Sequence, residues 1–401
     1  MTNRVRFDAP DLVRGIIMVI MLLDHTRDFT HYGALSFDPT DLTRTNTALF
    51  FTRWITHFCA PLFVFLAGMA VAFQQQRGKS NAELSAFLFK RGLWLCVLEL
   101  VVIRFLVFWT VGVEFWFVQV IWALGISMIC LAALIRAPRA VALVIGVALV
   151  LGHNALDVIR VAPWTGPDAI PSVQGKLWMV LHQQGPFPIA GWPSPVLFVM
   201  YPVLPWIGVM TLGWLLGDIY RMDIAKRRAI LLRLGVALTA AFVLIRFANV
   251  YGDPNVWASQ PSAWFTVLSF LNTTKYPPSL LFLLMTIGPG LIAMSLFERD
   301  SNEPRGGIAR VFITYGRVPM FFYLLQWMYA KSAGYALGLA FDRDVVPFTQ
   351  TLLEWQANDR FGFPLWVTHA VWIVGAVLLY FPCRWFANLK ARRRDWWLSY
   401  I

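Results

Sequence analysis

The sequence predicts an all-α fold: a polytopic integral membrane helical bundle of about ten transmembrane helices, one domain over residues 1–401, both termini cytoplasmic. Three observations predict it. Of 401 residues, 58% are hydrophobic and only 14% charged, where a soluble chain carries about 25% charged residues. Apolar runs near or above the length needed to cross a bilayer recur along the whole chain. The loops between them alternate between basic and base-poor, as expected when lysine and arginine set membrane orientation.

Taken in order, the spans are expected at approximately 10–29, 54–74, 90–109, 115–135, 138–157, 196–220, 228–250, 277–298, 308–332 and 364–386, most of them suited to a bilayer about 30 Å thick. The opening residues, MTNRVRFDAP, carry no cleavable signal pattern, so the first run is expected to stay as a helix. One set of loops holds Arg4 and Arg6; Arg77 and Lys79; Arg136 and Arg139; Arg221, Lys226, Arg227 and Arg228; Arg299, Arg305 and Arg310; and Lys390, Arg392, Arg393 and Arg394. The other set, at about 30–53, 110–114, 158–195, 251–276 and 333–363, is longer and poorer in basic residues. Its segments "APWTGPDAIPSVQGKLW" and "QQGPFPIAGWPSP" are rich in Pro, Gly and Trp. They read as ordered caps or partly re-entrant pieces rather than tethers.

The net charge of +12 does not point to nucleic acid, because the basic residues are spread over short loops rather than gathered on one polar face. Cys59, Cys96, Cys130 and Cys383 all fall inside apolar runs without metal-ligand spacing and read as small buried hydrophobes. No HExxH or related pattern is present, so no metal site is expected.

The chemistry gathers on the first run, "DLVRGIIMVIMLLDH", Asp11 to His25. A helical period puts Asp11, Arg14, Met18, His25 and Asp28 within one broad face, with Arg14 and His25 roughly 16 Å apart along the axis. Ionisable groups at such depth are costly and mark a functional site by default. Asp24 and His25 are neighbours in sequence and diverge by about 100° on a helix. Asp28, three residues on, is therefore the better-placed partner for the imidazole, in the arrangement general-base catalysis needs. Asp24 is left to bind a substrate hydroxyl or amine, or to pair with Arg27 or Arg53.

Further polar groups collect at the outer ends of other helices. Arg53 and His57 begin the second helix; Asn272 and Lys275 precede the eighth; Gln326 lies towards the outer end of the ninth. Arg53, Asn272, Lys275 and Gln326 are candidate substrate contacts, and Lys275 is the best outer cation for an oxyanion, a carboxylated sugar or a phosphate. His57 is a candidate base, with simple packing as its plainer reading. His153, His182 and His369 have no partner by spacing and read as structural.

The opening run, with Asp-x-x-Arg-Gly leading to a histidine near the far end, resembles the first-helix signature of membrane acyltransferases. Downstream, "APLFVFLAGMAVAF", "YPVLPWIGVMTLGWLLGD", "NTTKYPPSLLFLLMTIGPG" and "YGRVPMFFYLLQ" resemble the bacterial relatives of heparan-alpha-glucosaminide N-acetyltransferase. The resemblance runs over most of the chain. It implies transfer of an acyl group, usually acetyl, from cytoplasmic acyl-CoA to an extracytoplasmic sugar or glycan, at a bacterial inner membrane. It also leaves two histidines in view, His25 and, in the region of the family's own proposed histidine, His31. A cytoplasmic basic patch would hold the CoA phosphates while the slender arm threads outward between helices. Arg14, Lys90, Arg91 and Arg317 are the candidates for that patch.

The leading expectation is thus an acyl-CoA-dependent acyltransferase with acetyl-CoA as donor. His25 would act as base, oriented by Asp28 or Asp24, by direct transfer or through an acyl-histidine. The runner-up is a transporter or flippase for a small or lipid-linked substrate, for which "IGPG" at 287–290 and Pro202 and Pro205 offer helix breaks. Membrane lipids are implied partners, and a homo-oligomer is compatible with the composition.

Overall fold

Residue 7 onward, the first apolar run forms one uninterrupted helix, α1 (Asp8–Thr30). Past Pro10 and Gly15 it contains no helix breaker, so nothing stops it until His31 turns to extended backbone (φ −84°, ψ 137°). The computed structural model describes residues 7–34, 36–299, 305–350, 361–393 and 395–400. Arg4, Arg6 and Arg394 of the basic loops lie outside the described residues. Among those described, α1 is followed by α2 (Thr47–Trp54), α3 (Cys59–Gln76), α4 (Asn81–Leu98), α5 (Arg104–Phe108), α6 (Val120–Leu134), α7 (Arg139–Gly152), α8 (Val173–Leu181), α9 (Leu204–Leu216), α10 (Ile224–Ala248), α11 (Ala263–Leu271), α12 (Leu280–Phe297), α13 (Gly307–Arg317), α14 (Pro319–Ala340) and α15 (Leu365–Arg392).

Each of the ten expected segments contains helix. By length and apolarity five reach the requirement of a span: Thr47–Gln76, Arg139–Val158, Ile224–Ala248, Leu280–Phe297 and Leu365–Arg392. The α13–α14 pair makes a sixth if its bent halves are one span. The chain is therefore a mostly helical membrane protein. The first segment is long enough, but acids and arginines stand at both of its ends. The third is interrupted by a π turn over Glu99–Ile103. The fourth and sixth begin as strands rather than helix, and their helices have 15 and 13 residues.

The expectation of an all-α fold is thereby corrected. Strands β1 (Phe115–Val118), β2 (Gly185–Pro188) and β3 (Val196–Val199) form a small sheet in the order β1-β3-β2. In it β1 and β3 run parallel while β2 and β3 run antiparallel. Short apolar runs such as FWFV and VLFV suit a buried strand as well as a helix, and periodicity over four residues does not separate the two. The sheet and α8 give the long 158–195 region the ordered character expected of it. Its histidine is anchored too: His182 Nε2 lies 2.9 Å from Asp157 Oδ1.

Burial separates two classes of span. In the most apolar windows of the α2–α3 unit and of α12, 78% and 72% of residues are buried, against 22%, 22% and 17% for α7, α10 and α15. The first two are core helices; the other three turn apolar residues such as Val144, Leu244, Phe247 and Phe381 outward, as lipid-facing helices do. At the centre stands α1, packed against α3, α12, α13, α14 and α15. Its crossing with α13 is unusually close. A Cβ added to Gly15 would lie 1.7 Å from the Phe312 carbonyl oxygen, and one on Gly316 would lie 1.9 Å from that of Asp11. Small residues are what allow two helix backbones to meet at that distance inside a membrane.

The helix breaks fall elsewhere than expected. Pro289 sits inside α12, which continues across it from Leu280 to Phe297, and Pro205 lies in the first turn of α9, where a missing N–H costs nothing. The real break is at Val318 (φ −131°, ψ 49°), between α13 and α14, which meet at 93°. Val318 precedes Pro319, whose ring disfavours the α conformation in the residue before it. The ninth segment is therefore two helices, and the second continues beyond residue 332 to Ala340.

Candidate active site

Near its C-terminal end α1 opens onto a cavity of about 520 Å³. Met21, Asp24, His25, Arg27, Asp28 and Phe29 line it from α1, joined by Arg53, Cys59, Lys275, Tyr276, Tyr323, Trp327 and Lys331 from distant parts of the chain. The sheet supplies Phe117 and Phe198, so the strands that displaced helix here form part of its wall.

Asp24 is the electrostatic hub. Its Oδ2 accepts from Arg53 Nη1 at 2.5 Å and has Lys275 Nζ at 3.9 Å; its Oδ1 accepts from Arg27 Nη2 at 3.1 Å. The expected pairing of Asp24 with Arg27 or Arg53 is met by both at once. Arg27 Nη2 also donates to Asp28 Oδ1 at 2.6 Å, so one guanidinium joins the two acids on the helix. A buried carboxylate is tolerable only when paired in this way.

His25 faces Asp28, as the helical spacing required: Nδ1 and Asp28 Oδ2 are 3.9 Å apart. That is an ion-pair distance rather than a hydrogen bond, and Nδ1 has no hydrogen-bond partner among the described residues. The imidazole is held chiefly by packing. Its ring centroid lies 3.7 Å from that of Trp327, tilted by 41°, and Tyr323 meets it edge-on at 6.5 Å.

Three buried polar atoms on cavity-lining residues lack a hydrogen-bond partner among the described residues, His25 Nδ1, Arg27 Nε and Gln119 Nε2, while Tyr323 Oη and Trp327 Nε1 have only each other. Buried polar atoms are nearly always satisfied in folded proteins. Their grouping at one cavity makes it the candidate site.

The remaining candidates divide. His31 lies beyond the end of α1, 5% exposed and stacked on Tyr32 at 4.5 Å. It does not line the cavity. Burial, with smaller contributions from Arg27 and His369, pushes its imidazole down to about 4. His57 is buried against Phe282, ring centroids 5.3 Å apart, away from the cavity wall. Two of the expected substrate contacts, Arg53 and Lys275, reach the cavity; the other two do not. Asn272 instead donates to the Thr40 carbonyl at 3.0 Å, because the turn before α12 aims it at that loop. Gln326 is fully buried with Nε2 3.2 Å from Met21 Sδ; it lies on α14 one residue away from the face that carries Trp327 and Tyr323.

The four cations expected to form one patch stand in two places. Arg14 Nη1 is 3.1 Å from both Asp11 Oδ1 and the Gly316 carbonyl, and Arg317 lies 3.8 Å from Asp8 and 4.0 Å from Asp11. Together they tie α1 to α13. Lys90 and Arg91 belong to α4, which packs chiefly on α6 and the π turn; Lys90 is exposed and Arg91 stands over the Phe87 ring at 6.0 Å.

Reading the sequence missed Trp327, Tyr323 and Lys331. The aromatic pair had no sequence signal, since aromatic residues at helical spacing are ordinarily core. Lys331 did have one: a lysine inside an otherwise apolar run.

A search of curated proteins returns no match for the chain. The family model described as heparan-alpha-glucosaminide N-acetyltransferase, catalytic, matches residues 6–246, more than half of the sequence. The matched part contains Asp24, His25, Asp28 and Arg53, whereas Lys275, Trp327 and Lys331 lie beyond it. With the acid–histidine helix and its cavity inside a membrane bundle, and this match over them, the chain belongs to the heparan-alpha-glucosaminide N-acetyltransferase catalytic family, a family of membrane acetyltransferases.

Proposed function

We propose that the protein moves an acetyl group from acetyl-CoA, arriving from the cytoplasm, to a sugar or glycan hydroxyl or amine on the outer side of a bacterial inner membrane. In this reading both termini are cytoplasmic, the ten helical segments thread back and forth, and the cavity faces outward. The observation that carries it is the group of polar atoms without a hydrogen-bond partner among the described residues, around a histidine that shares its cavity with three acids and four cations.

His25 Nε2 takes the proton of the acceptor hydroxyl or amine, and the freed lone pair attacks the thioester carbonyl carbon. The carbon–sulfur bond then breaks, and the CoA thiolate recovers a proton from the imidazolium. Asp28, on the Nδ1 side of the ring, stabilises the imidazolium while it lasts. Asp24 does not serve as base, because its two oxygens are committed to three cations. Lys275 and Arg53, anchored by Asp24 at the cavity edge, offer N–H groups to the oxyanion that develops on the thioester. Exposed Lys90 with Arg91, and Arg14 with Arg317, are the proposed contacts for the CoA phosphates, in two places rather than one. His31 and His57 would support the site without reaching the reacting atoms.

The test uses the full chain in lipid nanodiscs with acetyl-labelled acetyl-CoA and amino sugars as acceptors. Transfer should be lost in His25→Ala while acetyl-CoA binding persists. Normal transfer by His25→Ala would move the role of base to another residue. Substrate uptake into vesicles, without any binding of acetyl-CoA, would favour a transporter that uses the bend at Val318.

A further inference from the structure

Four cationic side chains line the cavity, Arg27, Arg53, Lys275 and Lys331, against three carboxylates, Asp24, Asp28 and Asp38. The first three cations all reach Asp24. Lys331 is different. It is 1% exposed, and among the described residues no carboxylate lies within ion-pair distance of it. Its Nζ donates to the Val107 carbonyl at 2.5 Å and stands over the Trp109 ring at 4.8 Å and the Phe29 ring at 5.9 Å.

The plainer role is to cap α5, whose last carbonyls have no partner within the helix. That role accounts for one N–H of the three an ammonium carries. A neutral donor such as glutamine would serve it without the cost of burying a charge. A cation kept in this position, open to a cavity and lacking a counter-ion among the described residues, is suited to receive a negative charge that enters with a ligand.

Its position gives the distance. Lys331 and Trp327 are four residues apart on α14, so they share a face and are separated by roughly 6 Å along the axis. Trp327 is the ring on which His25 stacks. We propose that Lys331 is the receptor for an anionic group on the acceptor, a carboxylate or phosphate carried within about one sugar ring of the atom that is acylated. This rests on His25 marking the reacting end of the cavity. It narrows the acceptor from sugars in general to acidic sugars, sugar phosphates or the phosphate-linked sugar of a lipid carrier.

Binding measured directly keeps the test independent of catalysis. Glucosamine and glucosamine 6-phosphate are titrated into the full chain in phosphatidylcholine nanodiscs by calorimetry, with acetyl transfer followed separately. The phosphate ester should bind at least tenfold more tightly than the neutral sugar. Lys331→Met and Lys331→Gln should abolish that preference and Lys331→Arg retain it, which a loss of packing alone would not reproduce. If phosphatidylglycerol nanodiscs weaken binding of the phosphate ester in the wild type but not in Lys331→Gln, the anion is supplied by a lipid-borne group and the receptor role stands. Equal binding of the two sugars by wild type and variants, in both membranes, overturns the proposal. A Lys331-dependent preference without acetyl transfer would retain it and reject the acetyltransferase reading instead.

Discussion

Arg53 Nη1 lies 2.5 Å from Asp24 Oδ2, joining α2 to α1 across 29 positions of sequence inside the buried part of the bundle. The pair is the fixed point around which the cavity is arranged, since Asp24 also gathers Arg27 and Lys275. Breaking one side of such a pair leaves an uncompensated buried charge, at about 3–5 kcal/mol. Asp24→Asn should therefore lower the melting temperature sharply by exposing three cations to one another. Arg53→Met should be milder, because Arg27 and Lys275 still neutralise the acid. A melt in which the arginine variant is the less stable of the two would contradict this order.

Trp327 holds the His25 ring by stacking rather than by a hydrogen bond. Trp327→Ala should free the imidazole to change rotamer and reduce kcat by about 10²-fold, the loss typical of misplacing a catalytic group by an ångström. Trp327→Phe keeps an aromatic face and should retain most of the rate. Steady-state kinetics on the two variants, with acetyl-CoA binding as the control for folding, checks both.

The crossing of α1 and α13 has no room for a side chain at Gly15 or Gly316. The added methyl in Gly15→Ala would meet the Phe312 carbonyl, a backbone atom that cannot turn aside. The helices must then move apart, carrying Arg14 away from the Gly316 carbonyl. We expect a clear loss of thermal stability in nanodiscs for Gly15→Ala, and almost none for Gly152→Ala, where an added Cβ meets nothing within 4 Å.

His31 gives a pH dependence of definite sign. Its folded-state value, pushed down to about 4 mainly by burial, lies below the value near 6.5 of an unfolded histidine. The unfolded chain therefore takes up a proton more readily, and stability is fully present above pH 6.5 and lost as the pH falls towards 4. Melting curves between pH 7 and 4.5 should show a decline that is shallower in His31→Gln. Identical slopes in the two proteins would contradict the assignment.

How much of this was legible in the sequence depends on how far apart the participants are. The helix within each of the ten expected segments was, because apolar length acts locally, although only five of them, or six with the bent α13–α14 pair, reach the length and apolarity of a span. So was the geometry within α1: a period of 3.6 residues alone put Asp28 beside His25 and turned Asp24 away from it. The exceptions are themselves local ambiguities. Residues 115–118 and 196–199 are apolar enough for either structure, and only pairing with each other made them strands. The break at Val318 was written in the Val-Pro step, yet the 93° bend followed from where α13 and α14 found packing.

The first helix, by itself, determined the acid, the histidine and the spacing between them. It could not determine that Asp24 would be held by Arg53 and Lys275, that the ring of His25 would rest on Trp327, or that Asn272 and Gln326 would turn elsewhere. Those relations join residues as many as 305 positions apart, and no periodic signal connects them; they are decided by which helix faces close around α1. Lys331 belongs to both kinds of knowledge. Its charge within an apolar run was visible from the sequence, but its lack of a carboxylate partner among the described residues and its place one turn from the Trp327–His25 stack exist only once α14 has packed against α1 and α5.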